Sequence, residues 1–171
     1  MINKIKKALL KRFLNFRLHL LISNQRTYDF SAEIKKVEKI LIILPTGDEY
    51  NSDLQDFVST INKLFSKAKV STFGRSSLRK SDLSWLGLPS DKYLRIFRDE
   101  EFDLIVDGNK VTDSICAYIC ALSGAPLRLN LTAGPFDAIY NLHVRSKEDK
   151  PLAHRLQLIE RYLQTLQKSA A

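Results

Sequence analysis

Ile40-Leu41-Ile42-Ile43-Leu44-Pro45-Thr46-Gly47-Asp48 is an unbroken apolar run that ends abruptly in a proline, a glycine and a carboxylate. A run this short with no polar face reads as a strand buried on both sides, the mark of a parallel sheet. The Gly47-Asp48 pair then falls at the strand's carboxyl end, where open α/β sheets bind their ligands.

Working outward, Phe102-Asp103-Leu104-Ile105-Val106-Asp107 repeats the pattern and also ends in a turn, Asp107-Gly108-Asn109. A shorter strand is expected over residues 69–73. Leu127, Leu129 and Leu131 alternate with polar residues, as do Tyr140, Leu142 and Val144, which predicts two more strands. Between them lie helical patterns. Asp53 is placed to cap a helix carrying Leu54, Phe57, Ile61 and Leu64. Residues 76–85 read as a short helix stopped by Gly87 and Pro89, with Trp85 packed beneath it, and Ser90-Asp91 opens the next helix. Thr112 is expected to cap a helix that closes at Ser123-Gly124 before Pro126. Its Ala117, Ala121 and Gly124 form an edge of small residues. A last helix bears Leu152, Leu156, Ile159 and Leu163 as one stripe. Strands alternating with helices predict a single Rossmann-like, doubly wound, mainly parallel α/β domain over residues 39–168. A connector, residues 25–38, and an N-terminal amphipathic helix, residues 1–24, precede it.

The charge is concentrated in that N-terminal part. The chain has 171 residues and a formal charge of +8, yet residues 1–39 hold ten Lys or Arg against three Asp or Glu. Arguments about anionic partners therefore belong to this segment. Ile2, Ile5, Leu9, Phe13, Phe16 and Leu20 recur at steps of three and four, tracing one helix face. Lys4, Lys7 and Lys11 fall on the opposite face and make the anion-facing set. Three partners are open for this helix: the protein's own core or another protein, an anionic membrane surface, or RNA phosphates. No segment reaches the roughly 18 apolar residues of a membrane span. Arg12, Arg17 and His19 interrupt the apolar part as no signal peptide would allow. The expected location is cytoplasmic, with peripheral attachment to the inner membrane as the refinement.

The chemistry-bearing residues gather where the strands end. Thr46, Gly47, Asp48, Asp107, Asn109, Asn130 and Thr132 all fall at carboxyl ends of predicted strands and could line one small-ligand crevice. The same residue types also serve as turn formers and caps. There is no GxGxxG and no Walker lysine, and no cofactor is expected. His19, His143 and His154 are scattered without ligand spacing, and no metal is expected. Cys116 and Cys120, four apart, suit small core residues of a reduced protein. The Asn130-Leu131-Thr132 sequon has no secretory leader to make it meaningful.

Two resemblances follow from these motifs. The first strand with Gly47-Asp48, the strand ending at Asp107, the helix end Ala121-Leu122-Ser123-Gly124-Ala125, and His154 resemble the N-terminal acceptor lobe of heptosyltransferase-like glycosyltransferases, which have two Rossmann-like lobes. That resemblance implies a catalytic base at Asp48. The family continues into a donor lobe, whereas this chain stops at Ala171 and follows its Gly-Asp pair with Glu49-Tyr50-Asn51-Ser52. Over nearly its whole length the chain is similar to a family of short bacterial proteins of unknown function, mainly from Bacteroidota. The carriers are the basic N-terminal helix, Ile34-Lys35-Lys36-Val37, Asp82-Leu83-Ser84-Trp85-Leu86-Gly87 and Arg161-Tyr162-Leu163-Gln164. The expectation is a non-catalytic binding or adaptor module. An enzyme using Asp48 with a donor lobe from a partner is the alternative, and RNA or ribosome association is the second.

Overall fold

The computed structural model describes residues 8–10, 12–14, 16–17, 20, 28–47, 52–147 and 150–170. Its core is a five-stranded sheet, all parallel, in the order β2-β1-β3-β4-β5. The strands are β1 (Lys39–Ile43), β2 (Lys69–Phe73), β3 (Leu104–Asp107), β4 (Leu127–Asn130) and β5 (Leu142–His143). The apolar run beginning at Ile40 forms most of β1, and its alternation decides which side each residue serves. Ile40 and Ile42 enter one apolar cluster while Leu41 and Ile43 enter the other.

Helices α1 (Phe30–Lys35), α2 (Ser52–Leu64) and α5 (Leu152–Ala170) cover the first face. Phe57, Ile61, Ile159 and Leu163 are fully buried there. Helices α3 (Asp91–Asp99) and α4 (Ser114–Leu122) cover the second face. Every residue from Ile115 to Cys120 on α4 is buried. A helix apolar all round needs an outer cover as well as a sheet beneath it. Helical residues of the N-terminal segment supply part of that cover, since Leu14 is 2% exposed and Leu10 half-buried in the same cluster.

Several local expectations change. The stretch read as connector holds α1, capped by Asp29 through the Ser31 and Ala32 amides, and its Ile34 is in the core. Residues 76–85 form no α-helix: two short 3-10 turns, Arg75–Ser77 and Lys80–Asp82, lead into a tight turn. Trp85 sits on that turn 73% exposed, so it is displayed, not packed. The cap of α4 is Asp113, not Thr112, because its carboxylate accepts from the Ile115 and Cys116 amides. Asp53 lies inside the first turn of α2. The predicted strand around Tyr140 shrinks to Leu142–His143, since Tyr140 closes the 3-10 turn Asp137–Ile139. On β4 the alternating polar residues are buried too: Arg128 donates to the Ile139 and Ala125 carbonyls.

Candidate functional site

The strand order places the point where the chain reverses direction across the sheet between β1 and β3, the usual ligand crevice of such a fold. Register brings the predicted residues there. Ile43 pairs with Asp107, Asp107 with Asn130, and Asn130 with His143, so one row of residues crosses the crest of the sheet.

Each polar side chain in that row is engaged by its neighbours. Asp107, 5% exposed, accepts from the Asn109 amide at 3.0 Å and from Asn109 Nδ2 at 2.7 Å. Its other oxygen accepts from the Tyr140 hydroxyl. Burial raises the Asp107 pKa above the usual carboxylate range, and these donors pull it partly back. Asn109 Oδ1 accepts from the Thr46 amide at 3.1 Å, which bridges the β1 and β3 loops across the switch point. The Thr132 hydroxyl donates to the Asn109 carbonyl at 2.6 Å. Asn130 Nδ2 donates to the Thr132 carbonyl at 2.9 Å and to Asp137 at 3.3 Å. Arg145 then joins Asn130 Oδ1, at 2.8 Å, to Asp137 Oδ2, at 3.0 Å. His143 Nδ1 lies 2.8 Å from the same Asn130 oxygen, and burial and then the Arg145 charge lower its pKa.

The structure thus brings together Thr46, Asp107, Asn109, Asn130 and Thr132, and it fills the space between them. The cavity that Asp107, Asn109, Asn130 and Thr132 share with Tyr140 and Asp137 is about 10 Å³, at the threshold for one water. The 131–139 loop closes the crest so tightly that a Cβ on Gly134 would come within 2.1 Å of the Thr112 hydroxyl. Gly47 sits in an exposed turn at φ +92°, and Asp48 lies outside the described residues. A cavity of about 380 Å³ opens beside the β3–α4 loop, sharing Thr46 and Asn109 with the row. A groove of about 760 Å³ runs between α2 and the edge strand β2, with Leu44 among its lining. Among the described residues no group of His, Cys, Asp and Glu could hold a metal. Cys116 and Cys120 are buried free thiols whose pKa values burial pushes up, which suits packing and not nucleophilic chemistry. His154 is exposed.

Sequence reading missed Tyr140, Asp137 and Arg145. Gly134-Pro135 was a usable turn signal, but nothing in a linear pattern shows Tyr140 reaching back to Asp107.

The N-terminal helical residues form the second candidate surface. Leu10 and Leu14 face the core, whereas Leu9, Phe13, Phe16 and Leu20, members of the predicted stripe, are exposed. At about 100° per residue the two sets lie roughly a quarter-turn apart. Phe16 is the extreme case at 66% exposed. Arg12 and Arg17 are exposed along the borders of the stripe, and the Arg17 guanidinium lies 5.8 Å from the Phe13 ring centre. Lys4, Lys7 and Lys11 lie outside the described residues. Among the described residues no helix is long and apolar enough to cross a membrane.

The model of a family of unknown function, DUF6913, matches residues 6–166, and the chain belongs to that family. No curated protein and no solved structure matches it.

Proposed function

We propose that this member of DUF6913 is a non-catalytic binding module that attaches peripherally to an anionic membrane surface, at the cytoplasmic face, through its N-terminal helix. The observation that carries the reading is the division of labour on that helix. Leu10 and Leu14 turn into the domain's apolar cluster, whereas Leu9, Phe13 and Phe16 are left exposed on the same helix. An apolar stripe bordered by cations is what an interfacial helix presents: side chains for the acyl boundary, charge for the headgroups. Ten Lys or Arg against three acidic residues in the first 39 positions give that surface its sign.

The engaged Asp107 carboxylate supports the non-catalytic half. A general base must reach a substrate proton, and Asp107 already accepts three hydrogen bonds from Asn109 and Tyr140. The likeness to a glycosyltransferase acceptor lobe then accounts for the sheet and its Gly47-Asp48 loop as scaffold.

Flotation of the full-length protein with phosphatidylglycerol-containing vesicles tests the reading. Wild type floats, and Phe13→Asp/Phe16→Asp, at exposed positions that leave the core intact, stays at the bottom of the gradient. Equal recovery of both forms removes the proposal. Binding to RNA that collapses with salt, without flotation, replaces it with the phosphate-binding alternative.

A further inference from the structure

The large exposed apolar side chains are distributed unevenly. Among the described residues they are Leu9, Phe13, Phe16, Leu20, Trp85, Ile96 and Val111. None belongs to α1, α2 or α5. Four are on the N-terminal helix, Ile96 is on α3, Trp85 is on the turn before α3, and Val111 is on the loop into α4. Scattered single exposures are ordinary, but a concentration on one layer marks an interaction face.

The turn that carries Trp85 is rigid. The Ser84 amide donates to the Leu88 carbonyl at 2.7 Å, Gly87 closes back on Ser84 at 2.8 Å, and the Ser90 amide donates to the Asp82 carbonyl at 2.7 Å. Leu83 and Pro89 form an isolated antiparallel bridge, and Leu88, 3% exposed, anchors the turn in the second apolar cluster. A well-ordered turn with a buried leucine on one side and a bare indole on the other holds the indole outward by construction. Tryptophan is the residue most at home at headgroup level, where one end of the ring is apolar and the other wet.

This turn and α3 lie beside the proposed anchor. Leu14 of the N-terminal helix, Leu88 of the turn, and Leu94 and Phe97 of α3 all enter the apolar cluster that includes Tyr118 of α4. The helix, the turn and α3 therefore lie on the same side of the sheet. The exposed cations nearby suit an anionic surface: Arg79 and Lys80 precede the turn, and Lys92 and Arg95 flank Ile96. Of the acidic groups there, the Asp82 carboxylate accepts from the Arg79 amide and Glu100 pairs with Lys69, while Asp91, Asp99 and Glu101 are exposed at the helix ends.

We infer that Trp85 and Ile96 form a second lipid contact, so that the domain lies with its whole α3 side against an anionic bilayer instead of hanging from the N-terminal helix. The inference rests on the membrane reading above and adds an orientation to it. The occupant is the bilayer because rigidly displayed indole, aliphatic side chain and flanking cations together match an interface that is apolar below and anionic above.

Trp85 is the only tryptophan in the chain, so its fluorescence reports this contact without labelling. Full-length protein is mixed with phosphatidylglycerol vesicles, with and without brominated acyl chains. The expected result is a blue shift on binding, quenching by the brominated lipid, and a loss of vesicle affinity of about fivefold or more for Ile96→Asp at unchanged melting temperature. Flotation with no change in Trp85 emission overturns the inference and leaves the helix anchor standing. A Trp85 shift that survives in Phe13→Asp/Phe16→Asp supports the second contact, and removes the first if the variant also floats as well as wild type. Absence of flotation and of any shift overturns both.

Discussion

The α1, α2 and α5 layer and the layer of α3, α4 and the N-terminal helix cover opposite faces of one sheet, yet they treat apolar surface differently. The first hides it: each helix turns a single stripe inward, and among the described residues no large apolar side chain is left in solvent. The second has more than it can hide. Helix α4 is apolar on all sides and takes a cover from the N-terminal helix, and that cover carries a second apolar stripe a quarter-turn from the one it uses. The second layer also contains the buried carboxylate, since Asp107 follows Ile105 on the strand face that meets α4. Both layers bury a comparable core, but the exposed apolar surplus lies in the second.

The sharpest way to break this contrast is to cut into the sealed layer. Phe57 is 1% exposed at the centre of the first cluster, and Phe57→Ala is expected to cost about 3–5 kcal/mol, measured by urea unfolding. A loss below about 1 kcal/mol would mean that this layer is loosely packed and the comparison false. Leu14→Ala is the counterpart in the second layer. It removes the main inward contact of the cover and is expected to cost about 2–3 kcal/mol, at the low end for a buried leucine because an outer helix can settle into the gap. Protease susceptibility near the N-terminus should rise with it.

Much of the sheet was legible because β1 and β3 are apolar on both faces, and only a parallel sheet covered on both sides accommodates such strands. The helices α2 and α5 were legible from single stripes. What failed shares a physical reason: the deciding partner lies far away in sequence. Thr112 and Asp113 are equally good caps locally, and the choice of Asp113 follows from loop geometry and its ion pair with Arg75. Trp85 carries an apolar side chain that composition assigns to packing, but the turn is held by Leu88 and its backbone bonds, which orient the indole outward. The crest was half legible. Asp107, Asn109, Asn130 and Thr132 were placed by strand ends alone, whereas Tyr140, Asp137 and Arg145, which close the space, come from a loop whose conformation no periodicity encodes. On the N-terminal helix, Leu9, Phe13, Phe16 and Leu20 of the expected stripe are exposed, and Leu10 and Leu14, one position further along, are the inward pair.

A smaller effect separates the layers by pH. Asp107 has a raised pKa in the folded protein, so between its unfolded value, about 3.9, and that raised value the unfolded chain has released a proton that the folded one retains. Stability from this group is therefore full at the acid end and declines as pH rises through the folded pKa. Asp107→Asn keeps an acceptor for Asn109 and a partner for Tyr140 while removing the proton. Urea unfolding across this range should show a flatter pH dependence for the variant than for wild type. Parallel curves would mean that Asp107 ionises in the fold as it does in the unfolded chain.

The smallest expected effect bears most directly on the contrast. Phe16 is the most exposed member of the stripe on the N-terminal helix. If Leu10 and Leu14 alone dock the helix, Phe16→Ser removes surface that was never buried, and stability should change by no more than about 0.5 kcal/mol. A serine there also cannot open a cavity, since no core atom loses a neighbour. A measured loss above about 1 kcal/mol would show that in solution the ring packs against the domain. The second layer would then be as economical as the first, and the stripe would have no apolar surface left for a membrane. A near-zero change in stability, together with weaker flotation, makes Phe16 a residue kept for something outside the fold.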